Sequence, residues 1–477
     1  MSEKRKLAIN SISMLVNRLT QGVVTFALTA VIARSLGASA LGQYLLAVGY
    51  YYIFVNLTSQ GLKTLFTREL AREPKITSVC LVSGSLLQFI LSIIGYIALV
   101  ITVFILPYNA DTSLICYITG LTIIPFALSN ITEAIFQAQE KMHLIAFSTV
   151  PIYVLRLFLM IWVMQLNYGI EYISGILVIS ETLILVIEWL LLIKNVKPQW
   201  KIDKDFIWDT LYQSRTFFAI EGLGIISLKI DLIIISLLES EELIGIYGAI
   251  SQLFQPFSII ANSIALAGFP GMSKAANIGK EKQREVTQNI IRIMLCMGLP
   301  FMLGLLFFSK ELLLFVYNNE KFAEASMILN LKSVGLITSS FTQVSSYLLL
   351  ASGFEKFNLI SSLFSSMVGG FAGIVLISQY QLIGAAFMSL LMTFSHLGIM
   401  TYAVYTKLFS FQLWGIIRIP LLLSVIMSAV FWIMKIINLY FLFTLIVAIL
   451  AYLSIISLMI IKKFGGFKLA WKKLLNK

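Results

Sequence analysis

Fourteen apolar stretches follow one another along the chain, each long enough to cross about 30 Å of hydrocarbon as a helix. Their approximate limits are 8–34, 41–66, 77–106, 113–138, 143–166, 170–193, 211–237, 243–269, 286–308, 323–350, 357–378, 381–406, 413–436 and 439–461. No soluble core could hide them. Hydrophobic residues make up 59% of the 477 and charged residues 12%, about half the charged fraction of a soluble domain. The runs lack the roughly ten-residue alternation of a membrane barrel, and a spanning segment must satisfy its own backbone polar groups. The pattern predicts an all-α polytopic membrane protein with about fourteen transmembrane helices.

The net charge of +12 raises the question of nucleic acid, but the Lys and Arg are dealt out between apolar runs and form no single basic face. No nucleic-acid partner is expected. Twenty-three of the 35 basic residues fall in one set of loops and tails, among them Lys4, Arg5, Lys6, Arg68, Lys194, Lys201, Lys280 and the C-terminal lysines. The opposite set carries only Arg34, Lys310, Lys321 and Lys435, with eight acids including Glu239, Glu241 and Glu242. By the positive-inside rule both termini are cytoplasmic, as an even span count also requires. The stretch Ala8 to Ala33 is too long for a signal-peptide core and is interrupted by Asn17, Arg18 and Gln21, so it reads as a retained first span. Cys80, Cys116 and Cys296 all lie in apolar runs without a CxxC pair, which supports neither a disulfide framework nor a metal site.

The longest break between spans divides the chain. Residues 195–210 mix Trp200, Ile202, Phe206, Ile207 and Trp208 with charges, as a segment in the headgroup layer would. The expected organisation is an N-terminal lobe over 1–194, this linker, a C-terminal lobe over 211–408, and two further spans with a basic tail over 409–477. Gly42-Gln43-Tyr44 opens the second span and Gly245-Ile246-Tyr247 the eighth, which suggests a six-plus-six internal repeat.

Polar residues inside the spans are expensive and point to function by default. Arg18, Gln21 and Thr25 share one face of the first span; Asn56, Gln60, Lys63 and Thr67 run down one face of the second. Similar stripes are Ser85, Gln88 and Ser92; Asn130, Glu133 and Gln137; and Gln252, Gln255 and Asn262. Arg18 and Arg156 lie about 15 Å from their nearer span ends. Both are expected to face a water-filled cavity, the alternative for Arg156 being a buried pair with Glu133. Lys63, Arg215 and Lys229 add basic charge, although Lys63, Arg215 and Arg292 lie within a turn or two of cytoplasmic span ends, where a long stem can instead snorkel to the headgroups; for Lys332 and Arg418, also near span ends, snorkelling is the reading. A cavity rich in guanidinium and amide groups suits an anionic, hydroxyl-rich substrate, since guanidinium grips phosphate oxygens in a fork and amides bond sugar hydroxyls.

Ala33-Arg34-Ser35-Leu36-Gly37, Leu41-Gly42-Gln43-Tyr44, Gly61-Leu62 and Thr67-Arg68-Glu69-Leu70-Ala71-Arg72 resemble the opening of the polysaccharide transport family, the Wzx-type flippases of the MOP superfamily, which also holds MATE exporters and MurJ-type lipid II flippases. Asp231 after Lys229-Ile230, the stretch Asn319 to Ala325, Leu349 to Gly353, and Leu382-Ile383-Gly384-Ala385-Ala386 continue the likeness. The resemblance implies two six-helix lobes and a cavity lined by the first, second, seventh and eighth spans. It further implies alternating access for a polyprenyl-pyrophosphate-linked oligosaccharide, in a bacterial cytoplasmic membrane and beside the polymerase and glycosyltransferases of its pathway. Arg18, Gln21, Asn56, Gln60, Lys63, Arg156, Arg215, Lys229, Gln252 and Gln255 are the expected substrate contacts. No cofactor is expected; if H+ or Na+ drives transport, Glu221 and Asp231 are the acids to carry it. A lipid II flippase is the nearest alternative. A MATE exporter should carry acids where the first span has Arg18, and a membrane glycosyltransferase or polymerase would need a sizeable catalytic outer loop.

Overall fold

The described elements are helical, as lipid demands of a chain that must pair its own N–H and C=O groups. The computed structural model describes residues 3–464 apart from 195, 197, 199, 201, 438 and 439. Lys197 and Lys201 of the linker and the basic tail beyond Phe464 lie outside the described residues, as do the side chains of Lys4, Arg5, Lys6, Gln60, Lys462 and Lys463. Two compact units divide the chain.

The first unit comprises Met1–Pro256 and Ser362–Met388. It contains α1 (Glu3–Ser35), α2 (Gly37–Val55), α3 (Gly61–Arg72), α4 (Thr77–Val79), α5 (Ser85–Ile105), α6 (Ala110–Gly120), α7 (Ile123–Ala138), α8 (Met142–Gln165), α9 (Ile170–Ile193), α10 (Lys204–Leu238) and α11 (Glu241–Gln252). Gly37, at φ 87°, makes the turn from α1 into α2, a conformation open to glycine at little cost. Single π turns, Asn56–Gln60 and Cys80–Gly84, join α2 to α3 and α4 to α5. Where the wider turn releases the Thr58 carbonyl, the fully buried Gln88 donates to it at 2.9 Å. The core here is built from Leu62, Phe66, Leu81, Ile131, Phe136 and Leu192.

The sequence places Phe206 and Ile207 in an interfacial linker. In the structure α10 already begins at Lys204, capped by Asp203, whose carboxylate accepts from the Phe206 N–H at 3.0 Å. Phe206 stacks on Phe66 with ring centres 6.2 Å apart, and Ile207 packs on the same core, while Trp200 and Trp208 stay exposed.

The second unit comprises Phe257–Ser361 and Ser389–Lys477. It is built on α12 (Gln255–Ile278), α13 (Lys280–Tyr317), α14 (Glu320–Glu324), α15 (Ser326–Ser333), α16 (Gly335–Ala351), the second part of α17 (Lys356–Lys407), α18 (Leu413–Ile437) and α19 (Phe441–Phe464). Met427, Phe431 and Met434 pack with Leu303, Phe307 and Phe308 at its centre. Arg292 donates to the Gly415 carbonyl at 2.9 Å and so ties α13 to α18.

Among the described residues ten helices are long and apolar enough to cross a membrane, or eleven if the bent pair α11–α12 is one span, against fourteen runs in the sequence. Part of the difference lies in α17, whose 52 residues hold two runs. The helix breaks at Gln381 (φ 49°, ψ −128°), and the chain then doubles back. A Cβ on Gly384 would stand 1.9 Å from the Leu376 carbonyl oxygen, and one on Gly373 would stand 2.5 Å from the Met388 sulfur. The seventh run lies on α10, where Glu221, Lys229 and Asp231 interrupt the apolar sequence.

Candidate functional site

Of the four spans expected to line a cavity, the first, the second, the seventh and the opening part of the eighth, α11, belong to one unit and pack on each other: α2 against α1, α10 and α11, α1 against α11, and α10 against α3 and the Asn56–Gln60 turn. The closest approach is reciprocal. A Cβ on Gly42 would fall 1.8 Å from the Glu241 carbonyl oxygen, and one on Gly245 would fall 1.9 Å from that of Ala38. Each glycine lies one turn beyond the residue its partner touches, so the two tripeptides noticed in the sequence meet. Only glycine at both positions lets the backbones come this near. The Glu241 carboxylate then fastens the same end, accepting from Ser39 at 3.1 Å, from Gln43 at 3.0 Å and from Thr112. A hydroxyl chain runs beside it from Tyr50 to Tyr108 (2.8 Å) and from Tyr108 to Ser236 (2.7 Å). The hollow left there, about 330 Å³, is lined by Ser39, Tyr108, Ser236, Glu239, Glu241 and Glu242 among others. Loss of hydration pushes the Glu239 carboxyl above its ordinary range.

The polar stripe of the first span divides. Asn17 accepts from Thr149 of α8 at 2.9 Å, whereas Arg18 is exposed, Gln21 half-buried and Thr25 exposed. Among the described residues no carboxylate pairs with Arg18. On the second span Asn56 is half-buried and donates to the Tyr52 carbonyl at 2.7 Å, and Lys63 pairs with Glu133 at side-chain exposures of 19% and 17%. Asn130 donates to Ser59. Lys63, Asn130 and Gln88 thus tie the second span to α7 and α5 as polar glue between helices.

Arg156 is buried, 2.8 Å from Glu181 and 3.3 Å from Ser180, with its guanidinium 4.8 Å from the Tyr153 ring centre. The acid it meets is Glu181, while Glu133, the partner the sequence offered, is held by Lys63. Arg215 is exposed and covers the Tyr212 ring at 4.7 Å, and Lys229 is half-buried, 5.8 Å from the Tyr52 ring centre. Glu221 is half-buried on the same helix, and Asp231 accepts from the Tyr247 hydroxyl at 2.9 Å. Gln252, half-buried, ends α11, and Gln255, exposed, begins α12.

Two groupings escaped sequence reasoning: the Glu241 hub, and the buried Glu188 with Thr132 and Ser148 on neighbouring helices. Both acids are visible in the sequence. Their partners come from other helices, which no spacing within one span reveals.

Residues 5–276 match the sequence model of the family described as polysaccharide biosynthesis protein, and residues 225–376 match that of the MatE family. Stage V sporulation protein B of Bacillus subtilis (strain 168) is 24% identical over 264 residues, 52% of this chain and 48% of that protein. The chain spans about half the length of the curated relative it matches. The lipid II flippase MurJ in its inward closed conformation has a similar fold, with a TM-score of 0.77, 18% identity, and 95% of this chain and 98% of that one covered. A multidrug resistance MATE family transporter of the MOP superfamily, inward-facing, gives 0.64 at 13% identity, with 85% and 95% covered.

Proposed function

Since the chain belongs to the polysaccharide biosynthesis protein family of the MOP superfamily, we propose that it is a flippase for a lipid-linked substrate. In the fuller form of this reading it carries a polyprenyl-pyrophosphate-linked oligosaccharide from the cytoplasmic to the outer leaflet of a bacterial inner membrane, for cell-surface polysaccharide. The basic loops then face the cytoplasm with both termini. Two lobes, 1–194 and 211–408, provide alternating access.

The observation that carries the reading is Arg18. It is an exposed guanidinium in the middle of an apolar helix that packs against α2 and α11, and it has no carboxylate partner among the described residues. A charge kept there without a protein partner needs water or an anion. Pyrophosphate is an anion that guanidinium binds in a fork. Gln21, Lys63, Arg215, Lys229, Gln252 and Gln255 are proposed as the surrounding contacts. Arg156, neutralised by Glu181, is assigned to packing.

Complementation of a flippase-deficient strain tests this: Arg18→Ala should lose surface polysaccharide while the protein accumulates normally, and Arg18→Lys should recover part of it. Full export by Arg18→Ala would refute the assignment. The likeness to the lipid II flippase fold supports a second reading, lipid II as the substrate. Rescue of a strain lacking its lipid II flippase, without rescue of a polysaccharide flippase mutant, would favour that one.

A further inference from the structure

Glu188 lies on α9, five residues or roughly 8 Å before its end, and is 0% exposed. Its carboxyl touches two side chains. Oε2 meets the Thr132 hydroxyl of α7, and Oε1 meets the Ser148 hydroxyl of α8 at 3.1 Å. Each hydroxyl also lies against the backbone carbonyl three residues earlier, Thr132 on Ser129 at 2.7 Å and Ser148 on Ile145 at 2.9 Å. Four oxygen-to-oxygen contacts therefore need protons, and two hydroxyls supply only two. If Glu188 were ionised, both hydroxyl protons would turn to it and both carbonyl contacts would be left without one.

A third proton improves the count. With Glu188 as the neutral acid, its O–H donates to Thr132 Oγ1, the Thr132 proton passes to the Ser129 carbonyl, and Ser148 donates to Oε1. The charged surroundings agree. α9 packs against α2, α6, α7 and α8. α7 brings Glu133, already held by Lys63 of α3, and α8 brings Arg156, already held by Glu181 of α9 itself. Tyr51 on α2 and Tyr153 on α8 lie beside that second pair, and α6 bears Asp111 in its first turn. No cation among the described residues pairs with Glu188, and an unpaired carboxylate in such a place is the costly form.

We propose that Glu188, Thr132 and Ser148 form a proton-binding site inside the first unit, with Glu188 resting as the neutral acid. The O–H bond forms when the carboxylate takes H+ from water and breaks when H+ returns to it; nothing is oxidised or reduced. Loss of the proton places a bare carboxylate near Glu133 and makes it compete for Lys63, so protonation sets whether that lysine stays engaged. The site does not depend on which lipid-linked substrate is carried.

Infrared spectroscopy of the purified protein in lipid at pH 7 tests this through the C=O stretch of protonated carboxyl groups. Wild type should show a band that Glu188→Gln lacks and Glu181→Gln keeps. Thr132→Val, which removes the acceptor of the carboxyl proton, should shift the band without abolishing it. That shift decides the matter should Glu188→Gln fail to accumulate. Identical spectra for wild type and these variants, or a band that vanishes when K+ is replaced by Na+, would overturn the proposal.

Discussion

Arg18 and Arg156 stand equally far from the nearer ends of their apolar runs in the sequence, and the structure treats them in opposite ways. Arg156 is buried in an ion pair with Glu181, its plane against Tyr153; Arg18 is exposed and unpaired among the described residues. Depth along a helix axis fixes what a charge costs. How that cost is met depends on the facing helix: α9 presents Glu181 to Arg156, whereas the α8 side of α1 is contacted through Asn17 and Thr149. One arginine thereby belongs to the scaffold, and the other is left to meet something from outside the protein.

The largest effect should come from stripping Arg156 of its partner. Glu181→Ala leaves a buried guanidinium uncompensated, a loss of about 3–5 kcal/mol, and should lower the melting midpoint in detergent sharply. Arg156→Met combined with Glu181→Leu should restore most of it. Should the single variant melt like wild type, the pair is not structural and the contrast with Arg18 dissolves.

A smaller loss is expected where α2 meets α11. Gly42→Ala forces a methyl against the Glu241 carbonyl, an overpacking penalty of about 1–3 kcal/mol, and Gly42→Ala with Gly245→Ala should be worse than either alone. Thermal midpoints check this, and unchanged values would mean that the approach is looser than drawn. Arg18→Ala should leave the midpoint where it was, since an exposed side chain leaves no cavity. At the foot of the scale, Lys282→Ala removes an exposed pair with Glu285 and should alter neither stability nor export.

Much of the architecture is legible in the apolar runs, because length and hydropathy are properties of single segments. Gly42 and Gly245 are legible too, as small residues at matching positions. The ion pairs are not. Arg156, Lys63, Glu133 and Glu181 are all identifiable as intramembrane charges, but which acid meets which base depends on rotations of α3, α7, α8 and α9 about their own axes. A run of about twenty apolar residues leaves those rotations open. The π turn at Asn56–Gln60 has a similar cause, for a single inserted residue does not disturb the apolar pattern, yet it frees the Thr58 carbonyl for Gln88. Phe206 and Ile207 look interfacial because charges surround them; their partial burial, Phe206 on Phe66 and Ile207 on the same core, depends on where α10 begins.

The central claim is that Arg18 binds the anionic headgroup of a lipid-linked substrate. It is tested most directly with purified protein in liposomes carrying a fluorescent polyprenyl-pyrophosphate oligosaccharide, scored by the fraction that an impermeant quencher reaches over time. Wild type should move the lipid between leaflets, and Arg18→Ala, at an unchanged melting midpoint, should be slower by tenfold or more. Equal rates for the two proteins would contradict the account.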